Sequence, residues 1–243
     1  MDRVAPTRRP PGRLQGFQRW DRLLFSHWEV PAEELRPRVH PRLSLDEFEG
    51  RTFVGLVAFT MKGVRPYRWL PPFPTARDFG EINLRTYVHL DGAEPGVWFF
   101  SLDAASSLVV RAARALWGLP YHRSDIAVHD RDPEVQFECR RRWPGPPAAE
   151  WRAELEIGGA LPQPSPGSLE FFLSERYQFY APASAGRLRR ARVHHAPYEL
   201  FSARTRVVGD ALLQAAGIGA LGRRTPDFWS PGVDVDVYPL ETL

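Results

Sequence analysis

The chain has 243 residues, 43% of them hydrophobic and including 8 Trp and 15 Phe, so a sizeable core can be buried and global disorder is excluded. The formal net charge is +3, and the 32 basic residues comprise Lys62 and 31 Arg. The apolar runs Phe53 to Phe59 and Leu108 to Trp117 are too short to span a bilayer, the first residues lack the apolar stretch of a signal peptide, and the single Cys139 excludes an intramolecular disulfide framework, so the expectation is a cytoplasmic protein with no membrane partner.

Residues 1–16 are rich in Arg and Pro and predict a disordered tail, followed by a single domain over 17–243. In Gln18 to Trp28 the apolar residues Trp20, Leu23, Leu24 and Trp28 fall at helical spacing, which predicts a helix ended by Pro31. Arg51 to Met61 is apolar on both faces, as in a strand at the middle of a sheet. Pro66, Pro71, Pro72 and Pro74 make Arg65 to Pro74 an irregular loop.

Phe79 to Leu90 reads as a strand with opposite chemistries on its two faces. Ile82, Leu84, Val88 and Leu90 form an apolar face, while Glu81, Asn83, Arg85, Tyr87 and His89 line the other. That second face either walls a polar pocket or faces water. Asp91-Gly92 turns the chain into a second strand, Gly96 to Leu102. Asp103 is expected to cap a helix whose apolar stripe is Ala105, Leu108, Val109, Ala112, Ala113 and Leu116, stopped at Gly118 and Pro120. Val135, Phe137 and Cys139 then alternate with polar residues, as do Trp151, Ala153, Leu155 and Ile157, and the Pro144-Gly145-Pro146-Pro147 loop joins them into a hairpin. A short helix follows over Leu169 to Ser174, and strands are expected around Arg189 to His194 and Val233 to Tyr238. Strands dominate, so the fold class is mainly β with a few helices packed on a closed or nearly closed barrel.

Several patterns resolve into ordinary structure. Gly217-Ile218-Gly219-Ala220-Leu221-Gly222 has dinucleotide-type glycine spacing, but a helix-like run precedes it where such a site needs a strand, so it reads as a helix stop. Adjacent strand residues His194 and His195 point to opposite faces and cannot share a metal ion, and no other cluster suggests a metal or a cofactor. The Arg groups at 140–142 and 187–192 carry no nucleic-acid motif and read as solvated strand edges and ion pairs. In Glu175-Arg176-Tyr177 the expected role is buried ion pairing.

Ala113 to His122, Phe79-Gly80-Glu81, Ser101 to Ala104, Phe25 to Pro31, Gly63 to Pro66, Asn83 to Val88, Ser168 to Tyr177 and His194 to Pro197 together resemble the uncharacterised YqjF-like family. That family is similar in fold to acetoacetate decarboxylase, so the resemblance implies a conical β-barrel around an active site. It also implies a departure. The decarboxylase pattern Arg-Glu-x-x-Gly-x-Pro-Lys-Lys is met at Arg114, Gly118 and Pro120, but Ala115 stands for the Glu and Tyr121-His122 for both lysines. Neither can form an imine, and Lys62 is the one remaining side-chain amine. Glu81 matches the family's active-site Glu in its Phe-Gly-Glu passage.

These residues give the functional expectation. Glu81 is the catalytic acid or base, and Arg85, two pleats along, clamps an anionic substrate. Asn83, Tyr121 and Arg65 are further ligand-binding candidates, and Tyr87 either donates a hydrogen bond to the ligand or packs at the barrel rim. The partner is then a small organic acid, with no nucleic acid, and a homo-oligomer is compatible with the sequence. The reaction is a lysine-independent proton transfer, hydration or dehydration; the alternative is a non-catalytic ligand-binding or interaction module with a decayed site.

Overall fold

The computed structural model describes residues 1–73, 78–131, 133–145, 149–209 and 211–243. Its strands are β1 (Gly16–Glu29), β2 (Leu43–Leu45), β3 (Phe53–Arg65), β4 (Asp78–Leu90), β5 (Ala93–Ala104), β6 (Tyr121–Arg131), β7 (Glu134–Trp143), β8 (Glu150–Ala160), β9 (Gln178–Pro182), β10 (Leu188–His194), β11 (Phe201–Val208), β12 (Asp227–Val237) and β13 (Glu241–Thr242). Among the described residues the α-helices are short: α1 (Ala32–Leu35), α2 (Ser107–Ala112), α3 (Leu169–Ser174) and α4 (Ala211–Ala215).

The strands form one sheet that closes partly into a ring, because β5 and β12 each pair along one edge with two different strands. Beside β4, β5 pairs with β9 through Val97 and Trp98, and with β6 through Leu102 to Ala104. Beside β1, β12 pairs with β11 through Asp227 to Trp229, and with β10 through Asp236 and Val237. The run β12-β1-β3-β4-β5 is therefore a shared wall. One side of it is closed by β9 and β10, the other by β6, β7, β8 and β11.

This wall explains the two-sided burial of β3. Phe53, Val57, Phe59 and Met61 enter a core with Phe25, Tyr87, Val97, Phe172 and Val235. Val54, Leu56 and Ala58 enter a second core with Ile82, Leu84, Phe137, Trp151 and Leu155. Alternation along each strand sends successive side chains to opposite cores.

The helix expected over Gln18 to Trp28 is replaced by β1. The register against β3 gains one residue between Asp21 and Leu24, and Arg22 lies at φ 57°. This bulge places Trp20 and Leu23 against the same core three residues apart, while Leu24 and Trp28 enter the other. A phase slip in a strand thereby imitates helical spacing. Asp103 also departs from its expected role. It is a buried strand residue held by Arg141 through two bonds of 2.8 and 2.7 Å, and it accepts from Ser124 Oγ at 2.7 Å. Ser106 caps α2 instead, its Oγ accepting from Val109 N. The chain continues as a π-helical turn over Ala113–Trp117 and stops at Gly118, whose φ of 70° suits glycine best.

The β4–β5 hairpin turns at Asp91 and Gly92, both at positive φ, and β7, β8, α3, β10 and β12 form where the sequence predicts strands and a helix. β6 and β11 were not expected. Both are largely polar and are recruited by pairing with β7 and β8 rather than by their own pattern. Pro74 of the proline loop and Pro146 and Pro147 of the hairpin turn lie outside the described residues. In the N-terminal segment Arg3 hydrogen-bonds to Asp46, Arg9 to Asp236 and Arg13 to Tyr67. Among the described residues no helix is long and apolar enough to cross a membrane.

Candidate active site

Between the wall and β9–β10 lies a cavity of about 450 Å³. β4 delivers Glu81, Asn83 and Arg85 to it, because Ile82 and Leu84 are committed to the opposite core. Gln18 of β1, Tyr121 at the start of β6, Arg176 after α3, Gln178 of β9 and Tyr198 complete its polar lining. The rest is apolar and includes the aromatic side chains of Trp20, Phe59, Phe79, Phe99, Trp117 and Phe179.

Glu81 is 3% exposed, and Tyr121 Oη donates to its Oε2 at 3.1 Å. Burial raises its carboxyl to about 8, against the Tyr121 hydrogen bond and with help from the Asp103 charge. The same burial, with the neighbouring Glu81, pushes the Tyr121 phenol well above its usual value. At neutral pH the pair is a protonated acid beside a neutral phenol.

Arg85 occupies a different pole. Its Nη2 donates to Leu173 O at 3.2 Å, its Nε has no partner, and no carboxylate among the described residues pairs with it. Arg176 lies beside it, packed over the rings of Tyr87 and Phe172. Its Nη1 donates to Asp46 Oδ2 at 2.8 Å and its Nε to Phe172 O at 2.8 Å, which leaves Nη2 unpaired. Asn83 Oδ1 is likewise buried without a partner. Of these two guanidiniums Arg176 holds the buried carboxylate of Asp46 while Arg85 has none among the described residues, and several polar atoms of the cavity lack partners of their own.

Tyr87 lies behind this group, fully buried. Its Oη donates to Leu173 O at 2.8 Å and stands 2.6 Å from His27 Nε2. His27 Nδ1 has no partner, and burial together with Arg85 lowers the imidazole well below its usual value. The consistent assignment is a neutral His27 donating from Nε2 to Tyr87. Tyr87 stands outside the cavity lining and donates to the same Leu173 carbonyl that accepts from Arg85.

Arg65 and Lys62 lie elsewhere. Both line a separate cleft with Phe17 and Arg68, and Lys62 Nζ pairs with Asp21 at 2.6 Å. His122 hydrogen-bonds through Nδ1 with Pro144 O at 2.9 Å, also away from the cavity. The structure thus brings Glu81, Asn83, Arg85 and Tyr121 together, sets Tyr87 behind them, and leaves Arg65 out. Arg176 pairs with Asp46 as buried ion pairing requires, while its cavity face, with Gln178 and Tyr198, escaped the sequence reading. The polar run Glu175 to Gln178 after α3 was the available signal. No group of His, Cys, Asp and Glu among the described residues could hold a metal ion.

The branched sheet around a cavity defines the acetoacetate decarboxylase-like class of folds. Over 96% of this chain and 90% of the other, the structure from "Structural Studies of Acetoacetate Decarboxylase" aligns with a TM-score of 0.65 at 14% identity. The enduracididine biosynthesis enzyme MppR complexed with pyruvate aligns over 98% of this chain and 93% of its own, with a TM-score of 0.62 at 12% identity. The chain itself belongs to the DUF2071 family, described as "Uncharacterized conserved protein", which matches residues 17–234. It is 33% identical over 201 residues, 83% of this chain and 81% of the relative, to "Uncharacterized protein YqjF" of Bacillus subtilis (strain 168).

Proposed function

We propose that the protein binds a small organic anion in this cavity, with Arg85 as the clamp and Glu81 as the proton-transferring acid of a lysine-independent reaction. The observation that carries the reading is Arg85, a buried cation with no carboxylate partner among the described residues. Such a charge costs several kcal/mol. A bound anion offsets that cost and supplies acceptors for Arg85 Nε and Arg176 Nη2. Glu81, protonated at neutral pH, suits donation to a carbonyl or departing hydroxyl oxygen, as in enolisation, hydration or dehydration. A fold relative complexed with pyruvate is in keeping with an organic acid as ligand.

One observation favours a second reading, a binding protein without catalysis. Lys62 stands in a separate cleft, so the amine needed for decarboxylase-type imine chemistry is missing from the cavity. Under that reading Glu81→Gln leaves ligand affinity unchanged and no acid is turned over.

The test is a thermal-shift screen of wild type and Arg85→Met with keto, hydroxy and unsaturated carboxylic acids. A ligand at about a hundred times its Kd adds about 2.7 kcal/mol, worth about 2–4 °C per kcal/mol at this size. The expected result is a shift in wild type that is lost in Arg85→Met, with the ligand-free variant melting higher because an uncompensated charge is gone. Equal shifts in both proteins would remove Arg85 from the site.

A further inference from the structure

The two poles of the cavity are far apart. Glu81 and Arg85 are four residues apart on β4, so their Cα atoms are separated by about 13 Å. Gly80 O accepts from Ala105 N at the approach to α2, which puts Glu81 at the α2 end of the strand, while Arg85 donates to Leu173 of α3 at the other end. The electrostatic neighbourhoods agree. Arg85 acts on His27, Tyr87, His195 and Tyr198, whereas Tyr121 and Asp103 act on Glu81. A molecule that touches both poles runs along the strand between them, and the longer it is the more of the cavity wall it covers.

Asn83 stands between the poles, and around and beyond it the wall is mostly apolar. Phe59, Phe99, Phe179 and Trp117 line it, and it ends at Leu108 and Leu116, which are 54% and 67% exposed and mark the mouth. Glu81 and Arg85 lie deep, 3% and 9% exposed, while Leu108, Leu116 and Phe73 stand at the rim with the partly exposed Gln18. The charge balance limits the head group. Glu81 is protonated, Arg176 is paired with Asp46, and His27 and His195 are neutral, so one deep cation, Arg85, is left for the ligand. Arg3 also reaches Asp46, but from the surface.

We infer that the ligand is a monocarboxylic acid with an extended apolar tail, aliphatic or aromatic. It enters head first, its carboxylate on Arg85 and Arg176 and its tail running past Glu81 toward Leu108 and Leu116. This rests on the anion-site reading above and adds to it the class of acid. Burial of each methylene against such a wall contributes about 0.8 kcal/mol, close to a fourfold gain in affinity.

Isothermal titration of the full chain with propanoate, butanoate, hexanoate, octanoate, 3-phenylpropanoate and succinate tests it, with quenching of Trp20 and Trp117 as a second readout. The expected result is affinity rising about fourfold per methylene from butanoate to octanoate, 3-phenylpropanoate among the tighter ligands, and succinate weaker than butanoate. Ala113→Trp, which fills the tail path at the π-helical turn, should keep butanoate binding and abolish the gain with length. Affinity that is flat or falls with chain length would overturn the tail while leaving the anion site standing. Binding of none of these acids, short or long, would overturn both.

Discussion

At the scale of single residues the site is governed by two buried ionisable groups that meet burial differently. Glu81 keeps its proton, whereas Arg85 is a buried guanidinium with no carboxylate partner among the described residues. The carboxyl of Glu81 titrates near 4.5 in the unfolded chain and at about 8 in the folded protein. Between these values the unfolded state has lost a proton that the folded state retains, so stability falls as pH rises through this window and levels above it. Each pH unit there removes up to about 1.4 kcal/mol. Glu81→Gln, nearly isosteric and never charged, should therefore match wild type near pH 5 and exceed it by a few kcal/mol near pH 9 in urea unfolding. A variant less stable than wild type at the higher pH would make Glu81 a structural partner rather than a strained acid. If Glu81 acts as the acid on a bound substrate, kcat/KM also falls as pH rises through about 8, and Glu81→Gln abolishes turnover.

At the scale of elements, α3 matters beyond its six residues. Its carbonyls at Phe172 and Leu173 hold Arg176, Arg85 and Tyr87. The helix is too short to be stable by itself, and Ser168 Oγ caps it by accepting from Phe171 N at 3.2 Å. Ser168→Ala should lower stability by about 1 kcal/mol and weaken anion binding, because the Arg85 anchor loosens with the helix. Unchanged ligand affinity despite the lost stability would show that α3 does not tune the clamp. β4 and β1 mark the limits of local reading. The alternation in β4 is uninterrupted across Glu81, Asn83 and Arg85, so its polar face was visible in the sequence. In β1 the bulge at Asp21 to Leu24 shifts the phase, and periodicity alone selects the wrong element. The polar strands β6 and β11 carry little pattern of their own, and only their neighbours make them strands.

The whole molecule divides its labour between the two sides of the shared wall. The side closed by β9 and β10 holds the cavity; the side closed by β6, β7, β8 and β11 is filled by Phe137, Trp151, Leu155 and their neighbours. Phe137→Ala, at a fully buried position of the second core, should lower unfolding free energy by about 3–5 kcal/mol while leaving ligand Kd unchanged, as denaturant unfolding and titration would read. A matching loss of affinity would mean that the wall transmits strain between its cores. Several arginines pair with carboxylates on neighbouring segments, from the exposed Arg140 to the buried Arg190. Arg140 pairs with Glu150, Arg142 with Asp125, Arg190 with Glu94 and Glu241, and Arg206 with Glu154.

By itself the sequence determined the mainly β class, the two-faced strands β3 and β4, the polar row of Glu81, Asn83 and Arg85, and the lack of lysines at Tyr121 and His122. All of these are local: alternation and residue chemistry act over a few positions. Tertiary structure decided that the polar row is buried, that Arg176, Gln178 and Tyr198 join it, that Arg65 and Lys62 do not, and that Asp103 serves Arg141 instead of a helix. These outcomes depend on how β5 and β12 branch and on what α3 lays over β4. Desolvation, and with it the proton on Glu81 and the unpaired charge on Arg85, arises only when segments distant in the chain close over one another.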